Sequence, residues 1–271
     1  MPTRSGAGDG TPLLEIAGLS KSFGGIQALD NFDLTVPGPE IVGIIGPNGS
    51  GKTTAFNLIS GVLRPSAGRI RFRGHDVTAA QPNRNAALGM ARTFQNIRLF
   101  RDMSVIDNVA VGCHMRHGPH VLASLLSLPA ARRAEREIRG RAWHALEIMG
   151  LTAAAGELVR NLPYGDQRRV ELCRALATEP VLLLLDEPSA GMNANETKEM
   201  TRAIETIHRE HAVAILLVEH DMRMVMSICG RIQVINQGKM LVAGAPHEIQ
   251  ADPRVIEAYL GHGKERRDAV A

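Results

Sequence analysis

Residues 46–53 read Gly46-Pro47-Asn48-Gly49-Ser50-Gly51-Lys52-Thr53, with Thr54 next, and fit the pattern GxxxxGK[ST] in full. This order of residue types suits phosphate binding. Glycines, lacking Cβ, let successive backbone N–H groups turn inward on an anion, and a helix N-terminus behind them adds its positive end. Lys52 would reach the β- and γ-phosphates of a nucleotide, and the Thr53 hydroxyl would sit on Mg²⁺. A second chemical feature is Val181-Leu182-Leu183-Leu184-Leu185-Asp186-Glu187-Pro188, an apolar run that delivers two adjacent carboxylates to its end. Side by side they repel unless a cation is shared, which points to Mg²⁺. Asp186 suits the metal, and Glu187, one step further, suits an attacking water as general base or orienter. Kinases, GTPases and recombinases all combine such a loop with such a strand end.

The elements that must position these groups alternate. From Leu13, LLEIAGLSKSF and ALDNFDLTV, broken by Gly-Gly and Pro-Gly turns, predict a small antiparallel β element. EIVGIIG is a continuous apolar run of the kind buried on both faces in a parallel sheet, and AFNLISGVL after the loop has helical periodicity. From about Asn96 to Gly150 the chain reads as helical, with Ala134, Ile138, Ala142, Leu146 and Met149 on one stripe and Arg132, Arg133, Arg136 and Arg139 mostly elsewhere, as on a solvated face. Strand and helix alternate again through VLLLLDEP, a helix to about Glu210, and AVAILLVEHD. The expected class is α/β with a nucleotide-binding core, since ligands sit at the carboxyl ends of parallel strands.

Leu162-Pro163-Tyr164-Gly165-Asp166-Gln167-Arg168-Arg169, upstream of LLLLDEP, resembles the signature segment of ATP-binding cassette (ABC) ATPases. The resemblance runs from about Leu13 onward in the right order. It implies a P-loop NTPase core of the RecA-like kind with an antiparallel β subdomain and a helical subdomain inserted at about 96–178. It also implies one ATPase domain over 13–262, flanked by flexible tails at 1–12 and 263–271. By the same resemblance Phe23 stacks on adenine, Gln95 contacts Mg²⁺ and water beside the membrane partner, Ser189 to Asn193 form the D-loop, and His220 touches the γ-phosphate. Two such subunits pair head to tail, with ATP between the phosphate loop of one and residues 163–167 of the other. The sequence departs from the family at Pro163, Tyr164 and Asp166, where serine, glycine and glutamine are usual, and at Asn193, where aspartate is common. A hydroxyl for the γ-phosphate is thereby missing, so backbone donors must suffice.

RTFQNIRLF, MSVIDNV, LPYGDQRRVELCRAL, ILLVEHDMRMVM and ADPRVIEAYLG together are similar to the ATPase subunits of branched-chain amino acid importers. That similarity implies two transmembrane permease subunits, a second ATPase, identical or related, and an extracytoplasmic solute-binding protein, with this chain on the cytoplasmic face of the inner membrane. Lipopolysaccharide-extracting ATPases share related strings with a shorter helical region. Non-transport ABC proteins carry a second cassette, a zinc insertion or a coiled coil, and none is read here.

Composition agrees with a globular protein: 271 residues, 44% hydrophobic, 22% charged. A formal charge of +3 and an aromatic content of 3% argue against nucleic-acid partners. The first dozen residues offer no apolar run, so no secretory signal is expected there, and the longest apolar stretches fall far short of the roughly 20 residues that span a bilayer. Cys113, Cys173 and Cys229 lie apart without CxxC spacing, which suggests reduced thiols. Cys113, His114, His117 and His120 form a soft-ligand cluster without a matching second group, and the bland reading, a loop of the helical region, is preferred.

Overall fold

Ile41–Ile45 forms a strand (β3) buried along its whole length, as its uninterrupted apolar run requires. The computed structural model describes residues 11–117 and 129–259, with side chains excepted at 115–117 and 129–132. Contacts divide it into two compact units, one from residues up to Leu88 together with those from Ala214 onward, the other Gly89–Val213.

In the first unit β1 (Leu14–Phe23) and β2 (Ile26–Val36) form the expected antiparallel hairpin, and the sheet runs β2-β1-β4-β5 with β4 (Ala67–Phe72) and β5 (His75–Asp76). Leu14, Leu19, Leu29, Phe32 and Phe72 fill its buried face. The parallel core pairs β3 with β8 (Ala214–Val218) on one side and β9 (Arg231–Asn236) on the other, and β10 (Lys239–Gly244) returns antiparallel on β9. Helices α1 (Lys52–Ile59), α2 (Pro82–Ala87), α7 (Met222–Ile228) and α8 (Pro246–Ala251) complete it, and residues 253–259 are helical.

The second unit holds the parallel pair β6 (Met90–Arg92) and β7 (Leu182–Asp186). Its helices are α3 (Val105–His117), α4 (Pro129–Ile148), α5 (Tyr164–Leu176) and α6 (Ala194–His211). On α4 the predicted stripe holds in its C-terminal part: Ile138, Ala142 and Leu146 are buried, joined by Ala145 and by Met149 just past the helix end, while Ala134 is only half-buried. Arg133, Arg136 and Arg139 face solvent, and the Arg132 side chain lies outside the described residues. Helix begins later than expected. Residues 96–104 carry no helix, because this stretch is pinned by side chains instead of an i→i−4 ladder.

The main pin is Asn108, fully buried on α3. Its amide nitrogen donates to the carbonyls of Phe100 at 2.9 Å and Ser104 at 3.0 Å, and its oxygen accepts the Phe100 N–H at 2.9 Å. Asn108→Leu should cost about 2–4 kcal/mol in chemical denaturation, since it strands several buried backbone groups. A loss below about 0.5 kcal/mol would sink that account.

All three cysteines are unpaired and buried. Burial pushes the Cys229 thiol up to about 12 and raises the Cys113 and Cys173 thiols as well, so thiolate chemistry is suppressed. Cys113 lies within α3, which continues through His117 where a loop is expected from the sequence. Gly118 to His120 lie outside the described residues, as do the whole expected tail 263–271 and residues 1–10 of the expected tail 1–12. Among the described residues no group of three or more His, Cys, Asp or Glu is disposed to hold a metal, and no helix is long and apolar enough to cross a membrane.

Candidate functional site

The candidate residues fall in both units: Phe23, Gly46–Thr54 and His220 in the first, Gln95, Pro163–Gln167, Asp186 and Glu187 in the second.

Between β3 and α1 the loop takes a path that only glycine allows at two points. At Gly46 (φ +154°) a Cβ would stand 2.0 Å from the Ile235 carbonyl oxygen and 2.6 Å from Ser50 Oγ. At Gly51 (φ +108°) it would stand 2.6 Å from the Ala28 carbonyl oxygen. Lys52, 5% exposed, folds back so that Nζ donates to the carbonyls of Gly46 and Pro47, each at 2.8 Å. Ser50 Oγ is buried without a hydrogen-bond partner. A glycine-lined turn with an inward ammonium and an unmet hydroxyl fits a polyphosphate. Thr53 is exposed and Thr54 half-buried on the first turn of α1. Tyr259, which sequence reasoning passed over, lies beside this loop: burial raises its phenol and the Gly46 backbone N–H acts in the opposite sense.

Phe23 ends β1 opposite Ile26 across the Gly24-Gly25 turn, 45% exposed, with Lys21 Nζ 5.1 Å from its ring centre. It is a free-standing aromatic face rather than core. His220 follows β8 exposed; its backbone N–H donates to buried Glu219 at 2.6 Å, and Asp221 caps α7.

In the second unit β7 ends in Asp186 and Glu187. Asp186 is buried and paired with Arg92 Nη2 at 2.9 Å, a partner 94 residues away in the chain. Repulsion between the two carboxylates is thus already relieved by a protein cation, which the sequence did not disclose. Glu187 sits at φ +50°, a left-handed conformation that costs a non-glycine residue about 1–2 kcal/mol and concentrates at functional sites. Gln95 Nε2 donates to Glu187 Oε2 at 2.9 Å, so two candidates 92 residues apart meet. Thr53, Asp186 and the Gln95 amide oxygen are hard oxygen donors of the kind Mg²⁺ takes.

Helix α5 opens with Pro163 at its N-cap and no side-chain cap, leaving the first-turn N–H groups to other partners. A Cβ on Gly165 would stand 2.9 Å from Glu196 Oε1. Tyr164, in place of the usual glycine, takes the Arg168 Nε hydrogen bond at 3.2 Å and lies against Gly191. Asp166 pairs with Arg169, and Gln167 donates to the Leu162 carbonyl at 2.9 Å. Asn193 is the N-cap of α6: its side chain accepts from the N–H groups of Asn195 and Glu196, and Glu196 closes the box on the Asn193 N–H. Aspartate and asparagine cap equally well, so this substitution is neutral for the helix.

The family model described as ABC transporter matches residues 29–190. This chain belongs to the ABC transporter family, as its ATP-binding subunit. A further model, described as branched-chain amino acid ATP-binding cassette transporter, matches residues 239–265. The high-affinity branched-chain amino acid transport ATP-binding protein LivG of Salmonella typhimurium is 46% identical, over 92% of this chain and 98% of that protein. BraF of Pseudomonas aeruginosa, of the same description, is 44% identical over the same shares. The lipopolysaccharide export ATP-binding protein LptB of Acidithiobacillus ferridurans is 35% identical over 92% of this chain and 97% of that protein. Among solved structures, the ADP conformation of MJ1267, an ATP-binding cassette of an ABC transporter, superposes with a TM-score of 0.81 at 29% identity, covering 93% of this chain and 99% of that one. The expected P-loop ABC ATPase fold is thereby established.

Proposed function

We propose that this chain is the ATP-hydrolysing subunit of an importer for branched-chain amino acids or a similar small solute. The observation that carries the solute class is the branched-chain transporter match at 239–265, a stretch outside the general ABC match at 29–190. The 46% and 44% identical relatives support the same reading, against 35% for the lipopolysaccharide exporter. Residues 13–262 are taken as one ATPase domain with a helical region at about 96–178.

In this reading Phe23 stacks on adenine, Gly46–Gly51 wrap the phosphates through backbone N–H groups, and Lys52 neutralises the β- and γ-phosphates. Thr53, Asp186 and Gln95 hold Mg²⁺, which when bound neutralises charge on the phosphate oxygens. Glu187 accepts a proton from the attacking water, Gln95 orients its carboxylate, and His220 stabilises the γ-phosphate. Pro163–Gln167 present the start of α5 to the nucleotide of a second ATPase subunit, identical or related, so an isolated copy hydrolyses weakly. Two permeases and an extracytoplasmic binding protein complete the assembly at the cytoplasmic face of the inner membrane, and nucleic acid has no part in it.

Copurifying the complex and identifying the solute held by its binding protein tests the solute class: branched-chain amino acids are expected, and a lipid cargo with no binding protein would overturn it. Leu99 is half-buried and Phe100 is 51% exposed just after Gln95, on the loop that Asn108 pins. We assign them to the groove for a permease helix. Leu99→Asp with Phe100→Asp should abolish transport or assembly while leaving ATP binding intact, because it places two charges in an apolar contact. Unchanged assembly and transport would remove the assignment.

A further inference from the structure

The loop from Thr93 to Phe100 contains Gln95 but has no regular structure, so its backbone groups need partners elsewhere. Its ends are held by the Thr93 N–H on the Leu184 carbonyl at 3.0 Å and by Asn108 at Phe100. Between those ends the partners come from a buried ion pair on α5. Arg168 Nη1 donates to the Phe94 carbonyl at 2.8 Å, Nη2 donates to the Gln95 carbonyl, and Nη1 also meets Glu171 Oε2 at 3.4 Å. Glu171 Oε1 accepts the Arg98 N–H at 3.3 Å. The two side chains are only 3% and 4% exposed.

Burying such a pair is expensive, and an apolar pair of similar volume would often serve stability as well. The pair therefore needs a reason beyond cohesion. Arg168 offers a planar fork, and here its prongs reach the two carbonyls of the loop while Nε engages the Tyr164 hydroxyl at the first residue of α5. Whatever displaces the first turn of α5 carries this fork with it. Because Gln95 Nε2 lies 2.9 Å from Glu187 Oε2, a shift of the Gln95 backbone changes that contact.

We propose that Arg168 and Glu171 are positioning residues that lock Gln95 to the start of α5, so that the state of the signature segment sets the alignment of the Glu187 carboxylate. This rests on the reading of Glu187 as the group that acts on water. The pair is buried behind the loop and acts through Gln95.

The test is a mutant cycle on the purified transporter complex, read as steady-state ATPase activity. Arg168→Met with Glu171→Leu keeps the site filled but leaves the Phe94 and Gln95 carbonyls and the Arg98 N–H without these partners, so Tm should fall by several degrees. At a temperature below the transition, kcat is expected to drop about tenfold with KM for ATP changing less than about threefold. Gln95→Ala should lower kcat as well. Adding the pair substitution to Gln95→Ala should cost little more, since both act on one contact. Multiplying losses in the combined variant, or an unchanged kcat in the pair variant, would overturn the proposal. Should the apolar pair fail to fold, Arg168→Lys and Glu171→Gln keep a polar group at each position and enter the same cycle with the same criterion. Glu187→Gln is measured in parallel: retained activity there would defeat the general-base reading, whereas the coupling between the pair and Gln95 is judged on its own rates.

Discussion

Glu187→Gln in the assembled transporter should lower kcat about 10²- to 10⁴-fold, the range for removing a general base, while ATP binding persists. The substitution is nearly isosteric and keeps an oxygen that can accept from Gln95, now at 2.9 Å from Glu187. It leaves the Arg92–Asp186 pair alone and does not alter the demand for a left-handed backbone at this position. Stability and nucleotide affinity should therefore move little, and the loss should appear in turnover. Phosphate release under saturating ATP measures it, alongside nucleotide binding to the same preparation. Equal rates for parent and variant would remove the role assigned to Glu187, while a parallel loss of ATP binding would mean the change had disturbed the site rather than the chemistry.

Gly46→Ala should weaken ATP binding at least about a hundredfold, equivalent to about 2.7 kcal/mol. The added methyl has nowhere to go: it would meet the Ile235 carbonyl oxygen at 2.0 Å, and that carbonyl belongs to β9, itself paired to β3 beside the loop. Backbone in a paired strand cannot retreat as a flexible side chain would. The loop must open instead, and with it goes the Gly46 carbonyl that receives Lys52 Nζ. Overpacking of this kind costs about 1–3 kcal/mol, so Tm should also fall by several degrees. Gly49→Ala is the control. Gly49 has open space around its missing Cβ and only the strain of φ +77°, about 1–2 kcal/mol, so binding should survive there. Equal loss in both variants would show that the tight approach at Gly46 is not what shapes the cradle.

The two expectations differ in how visible they are from the chain alone. Contiguous features were legible: the GxxxxGK[ST] run, the apolar strand ending in Asp186-Glu187 and the stripe on α4 are each set by short-range residue order. The strand periodicity of Leu14–Val36 and the burial of Ile41–Ile45 were legible for the same reason, because side-chain periodicity depends on local geometry. The helical reading of 96–104 failed because the buried Asn108 and Glu171 of the α5 ion pair satisfy backbone groups at Phe100 and Arg98 from outside, and composition carries no trace of such partners. Arg92 was missed as the counter-charge of Asp186 for the same reason.

Residue order alone thus pointed to a phosphate loop at Gly46–Thr53 and placed two carboxylates at the end of a buried strand. It also identified the family to which the signature belongs. Tertiary structure decided what those carboxylates lie against. It paired Asp186 with Arg92, set Glu187 in a left-handed turn beside Gln95, made Asn193 a helix cap, and tied Arg168 and Glu171 to the Gln95 loop. The physical reason is distance along the chain. Periodicity and motifs report on neighbours a few residues apart, whereas a buried charge finds its partner 94 residues away only once strands and helices have packed.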